Sequence, residues 1–175
     1  MAVPFLRPSD VPLVSNADDP YLDGVRELYR LTTEAAAEMR AELNPDAALI
    51  AMGHCHLHGG EESRDSERRL VIGGAEAIGP ETFDPRIAYV ALGHLHRAQQ
   101  FDGGRIRYSG SPIPLSFAEA DYRHQVIRLT FEKTRLASMT EIPIPLAVML
   151  LRIPASGAAK IDDVVSQLEA LSSDA

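Results

Sequence analysis

Twice in this chain a short apolar run ends in glycine and is followed at once by histidine. Ile87-Ala88-Tyr89-Val90-Ala91-Leu92 leads into Gly93-His94-Leu95-His96, and Ala48-Leu49-Ile50-Ala51-Met52 leads into Gly53-His54. Short continuous apolar runs read as buried strands. Glycine at the end of such a run permits a sharp turn and a close approach of backbone. Each strand therefore hands a histidine to a loop. If the two strands lie side by side and parallel, the histidines meet in the crevice beyond their carboxyl ends, where open α/β sheets place ligands. Imidazole suits zinc, manganese, iron and related metals.

The rest of the chain supplies helix and sheet around these runs. Residues 1–20 hold Pro4, Pro8, Pro12 and Pro20 and read as an extended, irregular lead-in. Asp19 is placed to cap a helix with Pro20 at its first position. Leu22, Val25, Leu28, Tyr29, Ala36, Met39 and Leu43 then recur at helical spacing until Asn44-Pro45 stops the helix. Residues 47–52 are expected as a buried strand, residues 54–69 as a charged loop, and Leu70-Val71-Ile72 as a short strand. Beyond the 87–92 strand the chain reads as β-rich. Strands are predicted at Arg105–Tyr108, after the Asp102-Gly103-Gly104 turn, at His124–Phe131, and at 136–144 and 146–153 on either side of Pro145. Ile161, Val164, Val165, Leu168 and Leu171 form one helical face near the end. Helix and strand in alternation, then a β-rich half, indicate an α/β (α+β) class. A strand and a helix cannot bury a core of their own, so residues 143–175 read as the first elements of a second domain.

Composition narrows the function classes. A length of 175 residues suits one domain, or one domain and part of another. A formal net charge of −8 is the wrong sign for a free-standing nucleic-acid binder, so any contact with DNA must come from metal ions, a local patch or a partner. The single cysteine, Cys55, excludes an internal disulfide and a cysteine-based zinc cluster. A reducing cytoplasm is the expected setting. No apolar run approaches the roughly 18 residues of a membrane span, and Met1–Arg7 lacks the regions of a signal peptide.

The histidines also admit a plainer reading. His94 and His96 would face opposite sides of a continuing strand, but they can converge from a loop. The plainer alternative is a polar loop in which each ring satisfies a backbone group. His56 and His58 complete an alternating run with His54, as consistent with a solvated loop as with ligands. His124 opens a strand and carries no special signal. Cys55 reads as a plain, partly buried thiol. A two-metal site needs more than imidazole, because two cations about 3.5–4 Å apart require bridging negative charge. Asn16 and Asn44 are the chain's two asparagines, and it holds neither Asp-x-His nor Asn-His-Asp. On this count it carries about half of a two-metal site.

The string Ala91-Leu92-Gly93-His94-Leu95-His96-Arg97-Ala98-Gln99, followed by Tyr108-Ser109-Gly110-Ser111-Pro112-Ile113-Pro114-Leu115-Ser116-Phe117, resembles the SbcD nuclease-subunit family of the calcineurin-like metallophosphoesterases. G-H-x-H alone is shared across that superfamily, and its combination with the second string is far more specific. The Pro-rich start with Phe5-Leu6-Arg7-Pro8, the Met52-Gly53-His54 element and the β-α tail resemble the family in order and spacing. The resemblance implies part of a four-layer αββα sandwich over residues 1–142 and the start of a small α/β capping domain over 143–175. It implies that His54 and His94 bind one metal and His96 another, with Gly110, Ser111 and Pro112 shaping the loop beside them, and it assigns no acid–base catalyst in this chain. It further implies DNA phosphodiester hydrolysis in repair and recombination, two divalent ions of which manganese is the expected identity, an SbcC-type ATPase partner and a homodimer. The family's D-x-H, G-D and G-N-H-D elements are absent, so the isolated chain is expected to bind metal weakly and to be inactive. Two rival functions remain: a metallophosphoesterase acting on small phosphoesters, and a non-catalytic metal-binding or scaffold module.

Overall fold

A computed structural model describes residues 1–14, 18–63 and 77–171. The predicted 70–72 strand and the charged part of the loop before it, from residue 64, lie outside the described residues. The chain divides into two compact units, Met1–Pro145 and Leu146–Ala175.

Among the described residues, the first unit is built from one long helix and two sheets. Helix α1 spans Pro20–Leu43. Asp19 caps it as expected: its carboxylate accepts from the backbone N–H groups of Tyr21 and Leu22 at 3.1 and 3.0 Å. Asn44 closes the other end, donating its backbone N–H to the Arg40 carbonyl. Val25 and Tyr29 on its inner face are buried, and the Tyr29 ring meets Phe83 edge-on at 5.0 Å.

Four strands form the main sheet in the order β1-β2-β4-β3, where β1 is Leu49–His54, β2 Ile87–Gly93, β3 Gln99–Phe101 and β4 Ile106–Tyr108. β2 runs parallel to both β1 and β4, and β3 is antiparallel to β4. Ile87, Tyr89, Val90 and Leu92 of β2 are buried, which fits a central strand. β1 departs from the expected buried strand. Ala51 is fully enclosed, but Met52, whose side chain points to the opposite face of the strand, is 56% exposed. Residues 1–3 run beside that edge instead of forming a free lead-in: Met52 donates to the Met1 carbonyl and Val3 donates to the Met52 carbonyl. A further turn of 3-10 helix covers Pro8–Asp10.

The Arg105 guanidinium fixes the start of β2. It donates to the carbonyls of Phe83, Asp84 and Ile87 at 3.1–3.2 Å while pairing with Asp102. The second sheet is the antiparallel hairpin of β5 (Gln125–Glu132) and β6 (Arg135–Pro143). Arg107 of β4 reaches it through a 2.8 Å ion pair with Glu141.

The second unit contains helix α2, Ile161–Leu171. The strand expected over 146–153 is not formed; that stretch is irregular. Its apolar residues imitate a strand in sequence, but it pairs with no neighbouring strand among the described residues. The mixed α/β class holds throughout. Among the described residues no helix is long and apolar enough to cross a membrane.

Candidate metal centre

Strands β1 and β2 end together. Their parallel register sets His54 opposite Gly93, so His54 and His94 leave the sheet one residue out of step. Their rings meet edge-on with centroids 5.3 Å apart. Gly93 makes this possible: a side-chain carbon there would lie 3.1 Å from Nδ1 of His54. Phe5 also meets the His54 ring edge-on, at 6.1 Å.

His94 turns the chain out of β2 with φ of 111°, a conformation that side-chain-bearing residues rarely adopt. Leu95, next in sequence, is 2% exposed and seats the turn in the core. His94 and His96, on either side of it, remain partly open. A buried anchor between two partly open imidazoles gives the loop a fixed seat and keeps both rings accessible.

His96 is held differently. Its Nδ1 lies 2.8 Å from Oε1 of Glu119, a carboxylate with no solvent exposure. Oε2 of Glu119 accepts from the Ser111 hydroxyl at 3.0 Å and from the Leu115 backbone N–H at 3.1 Å. The Ser111 backbone N–H donates to the His96 carbonyl at 2.9 Å. Gly110 makes that return bond possible. It has φ of 85°, and an added side-chain carbon would sit 2.7 Å from the same His96 carbonyl. The Gly110-Ser111-Pro112 segment thus shapes the loop by carrying the Ser111 bonds that bind it to His96 and Glu119. Buried His124 donates from Nδ1 to the Ser111 carbonyl at 2.8 Å, a structural role.

The remaining candidates fall around this frame. The His56 ring lies 6.3 Å from that of His94 and is flanked by the Gly60 carbonyl and the Glu62 carboxylate, each at 3.4 Å. His58 is exposed. Burial pushes the Cys55 thiol up to about 12, the mark of an inert sulfur. The same loss of solvation raises the neighbouring Tyr29 phenol. Tyr108 donates its hydroxyl to the Cys55 carbonyl at 2.7 Å and ties β4 to the end of β1.

Glu119 carries no mark in the sequence. In Phe117-Ala118-Glu119-Ala120 it resembles any surface carboxylate. The available signal was Ser116, which caps the short turn Phe117–Glu119 in which that carboxylate is buried.

A divalent transition metal fits the donor type: imidazoles at a strand-end crevice, one of them braced by a carboxylate. The set is partial. Among the described residues no three His, Cys, Asp or Glu side chains stand together as a metal-binding group. The structure brings His54 and His94 together and places His96 on Glu119.

No family model matches the chain. Curated relatives do. The chain is 41% identical over 172 residues to the SbcD subunit of the nuclease SbcCD from Rhodobacter capsulatus, a match covering 98% of this chain and 42% of that protein. It is 42% identical over 105 residues to the Bacillus subtilis protein of the same name, covering 58% of this chain and 27% of the relative. For the Escherichia coli K12 protein of that name the identity is 34% over 151 residues, 82% of this chain and 36% of the relative. The chain therefore spans less than half the length of these relatives.

Proposed function

The chain belongs to the SbcD family of nuclease subunits, and on that premise we propose that it contributes the histidine-bearing half of a metal site that hydrolyses DNA phosphodiester bonds. The meeting of His54 and His94 at the ends of adjacent parallel strands carries this reading. It puts two imidazoles 5.3 Å apart, centroid to centroid, close enough to share one ion.

In the proposed mechanism His54 and His94 hold one divalent ion and His96 a second. Manganese is the proposed ion. When bound, such metals polarise a phosphate and lower the pKa of a coordinated water. The chain's residues bind and orient. Leu95 fixes the turn that presents His94 and His96, and Glu119 braces His96. The carboxylate and Asn donors that two adjacent cations require are absent from the motifs of this chain and are proposed to come from another part of a longer protein. Residues 143–175 are proposed to open its capping domain. An SbcC-type ATPase partner, a homodimer and a role in repair and recombination complete the proposal. The acidic net charge of −8 supports it, because DNA contact then falls to metals and partners.

The test is cleavage of linear duplex DNA by the full nuclease protein with its ATPase partner and manganese. His94→Ala is expected to abolish cleavage and leave the fold intact. Retained manganese-dependent cleavage by a folded His94→Ala protein would overturn the ligand assignment. Small phosphodiesters serve as the second substrate, and a preference for them over DNA would support the small-phosphoester rival.

A further inference from the structure

We propose that Glu119 is the positioning residue of the site: it holds His96 as the Nδ1–H tautomer and so turns the basic Nε2 toward a metal. The inference rests on the reading of His96 as a ligand, and the geometry extends it by one residue.

The protons around Ser111 can be placed one by one. A carbonyl oxygen only accepts, so the 2.8 Å contact from His124 Nδ1 to the Ser111 carbonyl puts a proton on that nitrogen. His124 Nδ1 therefore cannot accept from the Ser111 hydroxyl 3.5 Å away. The hydroxyl proton goes to Oε2 of Glu119, which also takes the Leu115 backbone N–H. A carboxylate that receives two donors on one oxygen presents the other as an acceptor. Oε1 faces Nδ1 of His96 at 2.8 Å, so the proton of the neutral ring lies on Nδ1. The lone pair is then on Nε2, the form a metal requires.

A fully enclosed carboxylate is costly to desolvate unless several donors meet it. Ser111 and Leu115 of its own loop and His96 all meet Glu119. The loop is a bracket built on one imidazole.

The experiment is two-bond 15N–1H correlation of the histidine rings in the 175-residue chain without metal, near pH 8, above the ordinary imidazole value of about 6.5. Wild-type His96 is expected to show the Nδ1–H tautomer. Glu119→Gln keeps the shape of the side chain. Two donors on the Oε2 side favour an amide oxygen there, so the NH2 group faces His96 and moves the ring proton to Nε2. In the full nuclease protein, manganese affinity measured by calorimetry is expected to fall by about 10–100-fold in Glu119→Gln. Ser111→Ala removes a neighbouring bond from the same carboxylate but leaves the Nδ1–H tautomer, which separates positioning from general loosening. An Nε2–H tautomer in wild-type His96 would overturn the proposal and needs no variant. So would unchanged tautomer and affinity in a folded Glu119→Gln protein. Manganese binding that responds to His96→Ala but not to Glu119→Gln overturns this assignment alone. Binding that ignores His96→Ala overturns the ligand reading, and the tautomers of wild type and Glu119→Gln then decide the role of Glu119 by themselves.

Discussion

His94 occupies a backbone conformation, φ of 111°, that costs a residue with a side chain on the order of 1–3 kcal/mol. Such strain persists where the surrounding structure holds it, here by burying Leu95 and pairing β1 with β2. It gives a stability ordering opposite to the usual one. His94→Gly is expected to be more stable than His94→Ala by about 1 kcal/mol in urea denaturation, although both lose the imidazole. Equal stability, or a more stable alanine variant, would show that no strain is held there. Gly110 makes the converse case. Gly110→Ala meets both a φ of 85° and the His96 carbonyl, so a loss of about 1–3 kcal/mol is expected by the same measurement. Cys55 adds a pH dependence. Its thiol value is raised from 9.0 to about 12 in the fold, so the folded chain holds a proton that the unfolded chain releases. Stability is therefore present below pH 9 and is lost progressively as pH rises from 9 through 12. Denaturation of wild type and Cys55→Ser across that range should converge at high pH, and parallel curves would contradict the burial.

At the scale of elements, helix α1 was legible because its signals are local. Asp19, Pro20 and Asn44 act on their immediate neighbours, and Asp19→Ala is expected to cost about 1 kcal/mol. The strand-glycine-histidine runs were legible for the same reason, but whether they pair was left open by the sequence, and the parallel pairing of β1 with β2 is what brings His54 beside His94. Gln99–Phe101 was missed because a three-residue strand with two glutamines has no period to detect; it forms because β4 offers an edge. Residues 146–153 were misread because branched apolar residues favour strands only where a partner exists. Glu119 was illegible because its role depends on contacts with His96, 23 residues away, and with Ser111. The short loop element around Leu95 gives the sharpest mutational test. Leu95→Ala is expected to cost about 2–5 kcal/mol and to free the loop that carries both histidines.

Over the whole molecule, His54 meets His94 and Glu119 braces His96, and the proposed reading takes these as the histidine half of a metal site whose carboxylate half is missing from the chain's motifs. The chain matches relatives more than twice its length, covering 42% or less of the Rhodobacter, Bacillus and Escherichia proteins. Ile161, Val165, Leu168 and Leu171 on the apolar face of helix α2 are between 43% and 72% exposed. Whether the chain carries half a metal site is decided by manganese-induced broadening of the histidine ring signals in these 175 residues, paired with calorimetry. Weak binding that broadens His54 and His94 first and leaves buried His124 sharp is the expected result. Two tight sites in the calorimeter, or broadening that spares His54 and His94, would refute the half-site.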